Sequence, residues 1–195
     1  DAINNSSTGQ IYLSLDSDGN GINNSLTSPY NEYMIVAWLA KNHSIETGTS
    51  GNILWNNYYS SPSVLPSILY QGSSVLSDNN NSFLSSFTHQ FNFFLCHYFT
   101  TSTEYLTYLK NSQEADSSWW QNMDYNSFEW GLGAGSAITS SYHADAINNN
   151  EDMIVSPHII AGYIPINPES KSNLIDLWTS NFGKFNLPNV NDDPV

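Results

Sequence analysis

Residues 128–169 read FEWGLGAGSAITSSYHADAINNNEDMIVSPHIIAGYIPINPE, and the rest of the chain is best understood from this stretch outward. Glu129 and Trp130 open it, and Gly131, Gly133 and Gly135 follow, where absent side chains let the backbone turn sharply and lie close to a ligand. Asp145, Glu151 and Asp152 come next. Ser156-Pro157 and Asn167-Pro168 then each pair a helix-capping residue with proline at the first helical position. The pattern predicts a ligand-lining loop feeding two helices. The second runs from Pro168 to Phe182 with Leu174, Leu177, Trp178 and Phe182 on one face, and Gly183 and Lys184 close it.

Upstream, the periodicity is also helical. Ser28 and Pro29 start a helix with Met34, Ile35, Trp38 and Leu39 on one face and Lys41 in its last turn. Glu32 falls in its first turn, where a carboxylate stabilises the helix dipole by about 0.3 to 1 kcal/mol. A second helix spans Ser82 to about Phe99, with Leu84, Phe87, Phe91, Phe94 and Tyr98 as its core stripe and His89 off it, near Asn92, Phe93 and Cys96. Thr101 and Glu104 form a capping box for a third helix, which carries Asn111, Glu114 and Asp116 toward Trp119 and Trp120. Tightly joined, these two make an antiparallel hairpin. Residues 43–81 are rich in Gly, Ser, Asn and Pro and read as a long loop holding Trp55, Tyr58, Tyr59 and Tyr70. Flat rings on a loop either stack on sugars or pack beneath it.

The first ten residues read as a flexible N-terminus and 187–195 as a loop tail, while Ile11 to Leu15 alternate as a short strand does. DSDGNGINN follows. Asp16, Asp18 and Asn20 stand at positions one, three and five of a calcium loop, with the Ile22 carbonyl at seven and Asn24 at nine. Position twelve is Thr27, so a bidentate carboxylate has to come from elsewhere; the other reading is a polar Asx turn.

Several of these segments together resemble the glycoamylase-like family, which includes enzymes acting on β-1,2-glucans and the transglycosylating domain of cyclic β-1,2-glucan synthases. WGLGAG at 130–135, Tyr142, DMIVSP at 152–157 and GYIPINPE at 162–169 are similar to the family's WGLTAS, Tyr, DGTVAP and GSLPFxPE run, in the same order. YNEYMIVAWLA at 30–40, FTHQF at 87–91 and YLKNS at 108–112 resemble its YSEYMLVYLLA, FTHxY and YxxNS segments. Gly135 and Ser136 stand where members often carry Ser and Asp, and Met153 and Ile154 replace the Gly-Thr of DGT. The resemblance implies a mainly α fold: a single domain over residues 1–195 forming part of an α/α toroid, a ring of helical hairpins, with long aromatic-rich loops. Members are typically about twice this length, so the expectation is an incomplete ring.

Composition narrows the partners. Of 195 residues only four are Lys or Arg, against 18 Asp and Glu, for a formal net charge of -14. Such an acidic protein repels phosphate backbones and anionic lipid, which disfavours nucleic acid and membrane surfaces. No apolar run approaches the ~18 residues of a membrane span. Solubility supplied by Asn, Ser and Thr suits a secreted, extracellular or periplasmic protein whose signal has been removed. Sequons begin at Asn4, Asn5, Asn23, Asn42 and Asn80, the expected sites if it is a glycoprotein. Cys96 is the single cysteine, read as a small buried hydrophobe.

Glycoside hydrolysis uses two carboxyl groups across the scissile bond, about 5 to 5.5 Å apart for retention and about 6.5 to 9.5 Å for inversion. The resemblance makes Glu32 the leading catalytic candidate; Glu129 is its partner, with Asp145 and Asp152 as reserves. His89, Trp130, Tyr142, Trp55 and Asn111 are the candidate glucan-binding side chains. The expected function is a glucan-acting glycosidase, a hydrolase or transglycosylase, with calcium as its one candidate cofactor. The alternative is a non-catalytic extracellular glycan-binding or self-assembling subunit, whose half-ring invites self-association or a missing complementary segment.

Overall fold

The computed structural model describes residues 4–5, 10–22, 24–28, 30–48, 52, 55–79, 81–138 and 141–180. Pro29, Asn23, Asn80, the Phe182 to Lys184 helix end and the 187–195 tail lie outside these, as does most of the N-terminal ten. Mainly helical architecture holds throughout. The helices are α1 (Met34–Thr47), α2 (Ser86–Leu95), α3 (His97–Thr101), α4 (Thr103–Gln121), α5 (Pro157–Tyr163) and α6 (Glu169–Thr179). Three short antiparallel hairpins accompany them: β1 (Asn4–Asn5) with β2 (Gln10–Ile11), β3 (Ser67–Tyr70) with β4 (Ser73–Leu76), and β5 (Ala134–Gly135) with β6 (His143–Ala144). Among the described residues no helix is long and apolar enough to cross a membrane.

Helix α1 begins at Met34, later than Ser28-Pro29 suggests, because Asn31 closes a turn ahead of it. Its Oδ1 accepts the Tyr33 N–H at 2.7 Å, and its amide donates to the Ser28 carbonyl. Glu32 therefore sits in this turn and not within the helix. The core face is Met34 and Ala37, with Leu39 turned outward. The helix continues to Thr47 and ends on Gly48, whose φ of 69° is the left-handed C-cap conformation that glycine takes at little cost.

The stretch read as one long loop, 43–81, is largely structured. After the end of α1 it holds a π-helical turn at Trp55–Tyr59 and a short 3-10 turn at Pro62–Val64, capped by the Ser61 hydroxyl. The β3–β4 hairpin follows, its two-residue connection Gln71-Gly72 having φ of 46° and 94°. Paired positive φ values are what a tight hairpin turn demands. Residues SILYQGSSVL hide this signal because glutamine stands where Asn or Asp usually marks such a turn. Strand β4 lies on α4, where Asn111 Nδ2 donates to the Ser74 carbonyl at 2.8 Å.

The expected helix over 82–99 is two helices, broken at Cys96, whose φ and ψ of -137° and 118° are extended. The larger correction concerns its face. Phe91 and Phe94, placed in the core stripe by periodicity, are 41% and 54% exposed, as is Leu95 at 55%, whereas Ser86, Thr88, His89, Gln90 and Asn92 are buried. Helix α2 buries this polar face and turns Phe91, Phe94 and Leu95 outward, while Phe87 and Phe93 still pack against the core. Its cap neighbours also shift by one: Ser102, not Thr101, caps α4, accepting the Tyr105 N–H at 3.5 Å.

Two apolar clusters flank α2. One joins Tyr30, Met34, Ala37, Trp55, Tyr59, Phe99 and Tyr105. There Lys41 Nζ stands 4.8 Å from the Trp38 ring and 5.3 Å from Trp55, a cation held by aromatic faces. The other joins Trp119, Trp120, Trp130, Leu132, Ile159, Ile160, Tyr163 and Leu177. Burying several indoles at roughly 150 to 250 Å² each supplies much of its stabilisation.

Candidate functional site

Asp116 explains the glycine turn. Helix α4 points this residue inward, 1% exposed. Its Oδ2 accepts the Ser86 hydroxyl at 2.5 Å and the Leu132 N–H at 2.9 Å, and its Oδ1 accepts the Gly131 N–H at 3.1 Å. From the other side, Ser85 Oγ and the Ser86 N–H both donate to the Leu132 carbonyl at 2.9 Å. Burial pushes the Asp116 carboxyl up to about 6, while the three donors pull the other way. Gly131 has a φ of 115°, and a Cβ there would stand 2.6 Å from the Ser156 carbonyl oxygen. At Gly133 a Cβ would meet Ser156 Oγ at 2.5 Å. Both glycines thus admit the 156 segment, which bonds back through the Ser156 N–H to the Gly131 carbonyl at 3.0 Å.

Further along α2 the same polar face holds two more segments. Tyr30 OH lies 3.1 Å from His89 Nδ1, with the rings stacked at 5.4 Å. Asn92 Nδ2 donates to the Asn31 carbonyl at 3.0 Å, and Gln90 Nε2 to the Ile159 carbonyl at 2.8 Å. The YNE segment, the glycine turn and α5 therefore hang on one helix. From Ser86 to Asn92 the helical rise separates the first two anchors by about 9 Å. Burial lowers His89 to about 4, so its ring is neutral. Beside it, a cavity lined by Tyr30, His89, Asn92 and Tyr105 is only the size of a water molecule, too small for a sugar ring.

The candidate carboxylates differ in how far they are committed. Glu32 is half-buried and takes no hydrogen bond or ion pair from the described residues. Glu129 is buried and turned back on its own loop, Oε2 accepting the Asn126 N–H at 2.9 Å and its side-chain amide at 2.6 Å. Asp145 Oδ1 faces His143 Nδ1 at 2.7 Å, and the Asp145 N–H donates to the Gly133 carbonyl. Asp152 Oδ2 accepts the Ile138 N–H at 2.7 Å. Asp145 is thus tied to the glycine turn, and Asp152 to Ile138 in the segment after it. Glu32 reaches it only by way of α2.

Of the proposed sugar contacts, Tyr142 presents an exposed ring. Trp130 and Trp55, each 1% exposed, are core: Trp130 lies against Tyr163 and donates to Asn173 Oδ1, and Trp55 meets Trp38, Tyr98 and Phe99 edge-on. His89 and Asn111 are spent on Tyr30 and Ser74. In the acidic loop Asp16 Oδ1 accepts the Asp18 and Asn20 N–H groups at 3.0 and 2.8 Å, and the Ile22 carbonyl takes the Ser25 N–H. These bonds close an Asx-type turn, from which a cation would have to take Asp16 away. Asn42 lies within α1, and its sequon partner Ser44 is buried and bonded to the Lys41 carbonyl, unlike an open loop acceptor. Cys96 is buried as expected, which pushes its thiol up.

Ser86, Gln90 and His143 were given no role from the sequence, and Asp116 was noted only as a residue of the third helix. A carboxylate at a helix position facing two tryptophans one turn on, and a Ser-Ser-x-x-His-Gln row on an apolar helix, are the signals that could have found them.

With helices carrying the architecture and the polar face of α2 gathering the YNE segment, the glycine turn and α5, the chain defines a mainly helical class of structure. No protein-family profile matches its sequence, and no curated protein does. Solved structures do match. It resembles an endo-β-1,2-glucanase from Chitinophaga pinensis, solved with sophorotriose and glucose, at a TM-score of 0.66 and 20% identity over 91% of this chain and 45% of the other. A glucoamylase candidate from Bacteroides uniformis gives a TM-score of 0.68 at 16% identity, over 91% of this chain and 44% of the other. The likeness is one of fold, and bears out the glycoamylase-like resemblance at that level. This chain spans less than half the length of either structure.

Proposed function

We propose that this chain is part of a glucan-acting, carbohydrate-active protein of the glycoside hydrolase or transglycosylase type, folded as part of an α/α toroid. The observation that carries the reading is the fold match over 91% of the chain to a structure solved as an endo-β-1,2-glucanase. Its ligand is a neutral glycan, in keeping with a net charge of -14. Of the four candidate carboxylates, Glu32 takes no bond from the described residues, while Asp145 is bonded to the glycine turn and Asp152 to Ile138 after it. Turnover of a β-1,2-glucan panel, followed by reducing ends, tests the reading: release of oligosaccharides supports it, and an inert protein across the panel contradicts it.

Calcium belongs to the same proposal. Binding would draw Asp16, Asp18 and Asn20 onto one ion in place of the loop's own bonds. Heat in a calorimetric titration, lost in Asp16→Asn, supports the site; no heat removes it.

A second reading, a non-catalytic glycan-binding or self-assembling subunit, is favoured by the outward apolar face of α2, Phe91, Phe94 and Leu95. Sedimentation at rising salt, which screens like charge, distinguishes it: association that Phe94→Ser abolishes supports assembly.

A further inference from the structure

We propose that His143, held by Asp145, is a general base of this site, acting on water or on a hydroxyl of a neutral glycan; the glycan part rests on the function proposed above. His143 stands on β6 opposite Gly135 of β5. Its Nδ1 is 2.7 Å from Asp145 Oδ1, and the two side chains are 31% and 10% exposed. An ionised carboxylate only accepts, so Nδ1 carries the ring hydrogen and Nε2 is left as the acceptor. Asp145 is itself fixed, since its N–H bonds the Gly133 carbonyl at 2.8 Å and Asp116 holds the same turn at Gly131. A buried carboxylate behind a partly open imidazole is the arrangement by which a base is oriented and its protonated form stabilised. The imidazole is itself partly open, and Tyr142 next to it in sequence is exposed.

The reaction balances with groups already described. His143 Nε2 takes a proton from the attacking water or hydroxyl, whose oxygen forms a bond to the anomeric carbon. The bond from that carbon to the glycosidic oxygen breaks, and the leaving oxygen takes a proton from Glu32. Other titratable groups on the surrounding elements are Asp152, which accepts the Ile138 N–H on the arm after β5, and His158 on α5, beside Gly133.

The test combines histidine ring NMR with turnover. In the wild-type protein the nitrogen shifts of His143 should report the Nδ1–H tautomer, and Asp145→Asn should move it toward the mixture found in free histidine. His143→Gln should lower kcat on glucan by about 10² to 10⁴ fold and abolish the fall of kcat/KM on the acid side. An Nε2–H tautomer at His143 in the wild type overturns the proposal. So does an active wild type whose rate and pH profile survive His143→Gln. A wild type inert toward every glucan overturns the base together with the glycan reading, the Nδ1–H tautomer then supporting only the orientation of His143 by Asp145.

Discussion

Asp116 Oδ2 accepts the Leu132 N–H at 2.9 Å while the Leu132 carbonyl takes Ser86, so one residue of the glycine turn is bonded to α4 on one side and α2 on the other. That clasp fixes the turn before any ligand arrives. It also puts a carboxyl where water does not reach, and the cost is visible in its raised pKa.

Two buried groups should give the protein opposing responses to pH. Asp116, raised from 3.8 to about 6, stabilises the fold below about pH 4 and loses that contribution as pH rises through 6. His89, lowered from 6.5 to about 4, does the reverse: its contribution is present above pH 6.5 and lost as pH falls through 4. Each shift of some two units corresponds to about 3 kcal/mol. Urea titrations from pH 4 to 6.5 should therefore show stability rising with pH in Asp116→Asn and falling with pH in His89→Gln. Identical slopes in the two variants contradict the account.

Gly131→Ala should cost at least about 1 to 3 kcal/mol, because alanine is strained at φ 115° and its methyl would enter the Ser156 carbonyl. Gly135→Ala, with open space around it, should cost less than about 0.5 kcal/mol by the packing argument alone. Equal midpoints in denaturant for the two variants would show that the turn is looser than described.

Much of the helix content was legible because it rests on local chemistry: Ser156-Pro157 at the start of α5 and Glu104 in the first turn of α4 needed no tertiary knowledge. Residues 67–76 were missed as a hairpin because Gln71 takes a conformation usually signalled by Asn or Gly. The face of α2 was misread for a deeper reason. Periodicity assumes that apolar atoms are buried, and here Ser86, His89, Gln90 and Asn92 took the inside to bond the Leu132 carbonyl, the Tyr30 hydroxyl, the Ile159 carbonyl of α5 and the Asn31 carbonyl. Asp145 was named from its place beside the turn, yet its partner His143 was invisible until β5 and β6 paired.

Glu32→Gln should lower glucan turnover by about 10² to 10⁴ fold with the fold unchanged, since the amide keeps the shape and removes the acid. Circular dichroism checks the fold, and reducing-end release the rate. Unaltered turnover would pass the acid's role to Asp152.

The buried polar face of α2 is the central claim, because it joins the YNE segment to the glycine turn. Its most direct test compares Gln90→Leu with Leu95→Gln in urea. The account predicts that Gln90→Leu, which removes the buried side-chain bond to the Ile159 carbonyl and puts a branched side chain against Gly162, costs about 1 to 3 kcal/mol, while Leu95→Gln on the outward face stays within about 0.5 kcal/mol. The opposite order, with Leu95→Gln the costly change, would mean that the apolar face is the buried one.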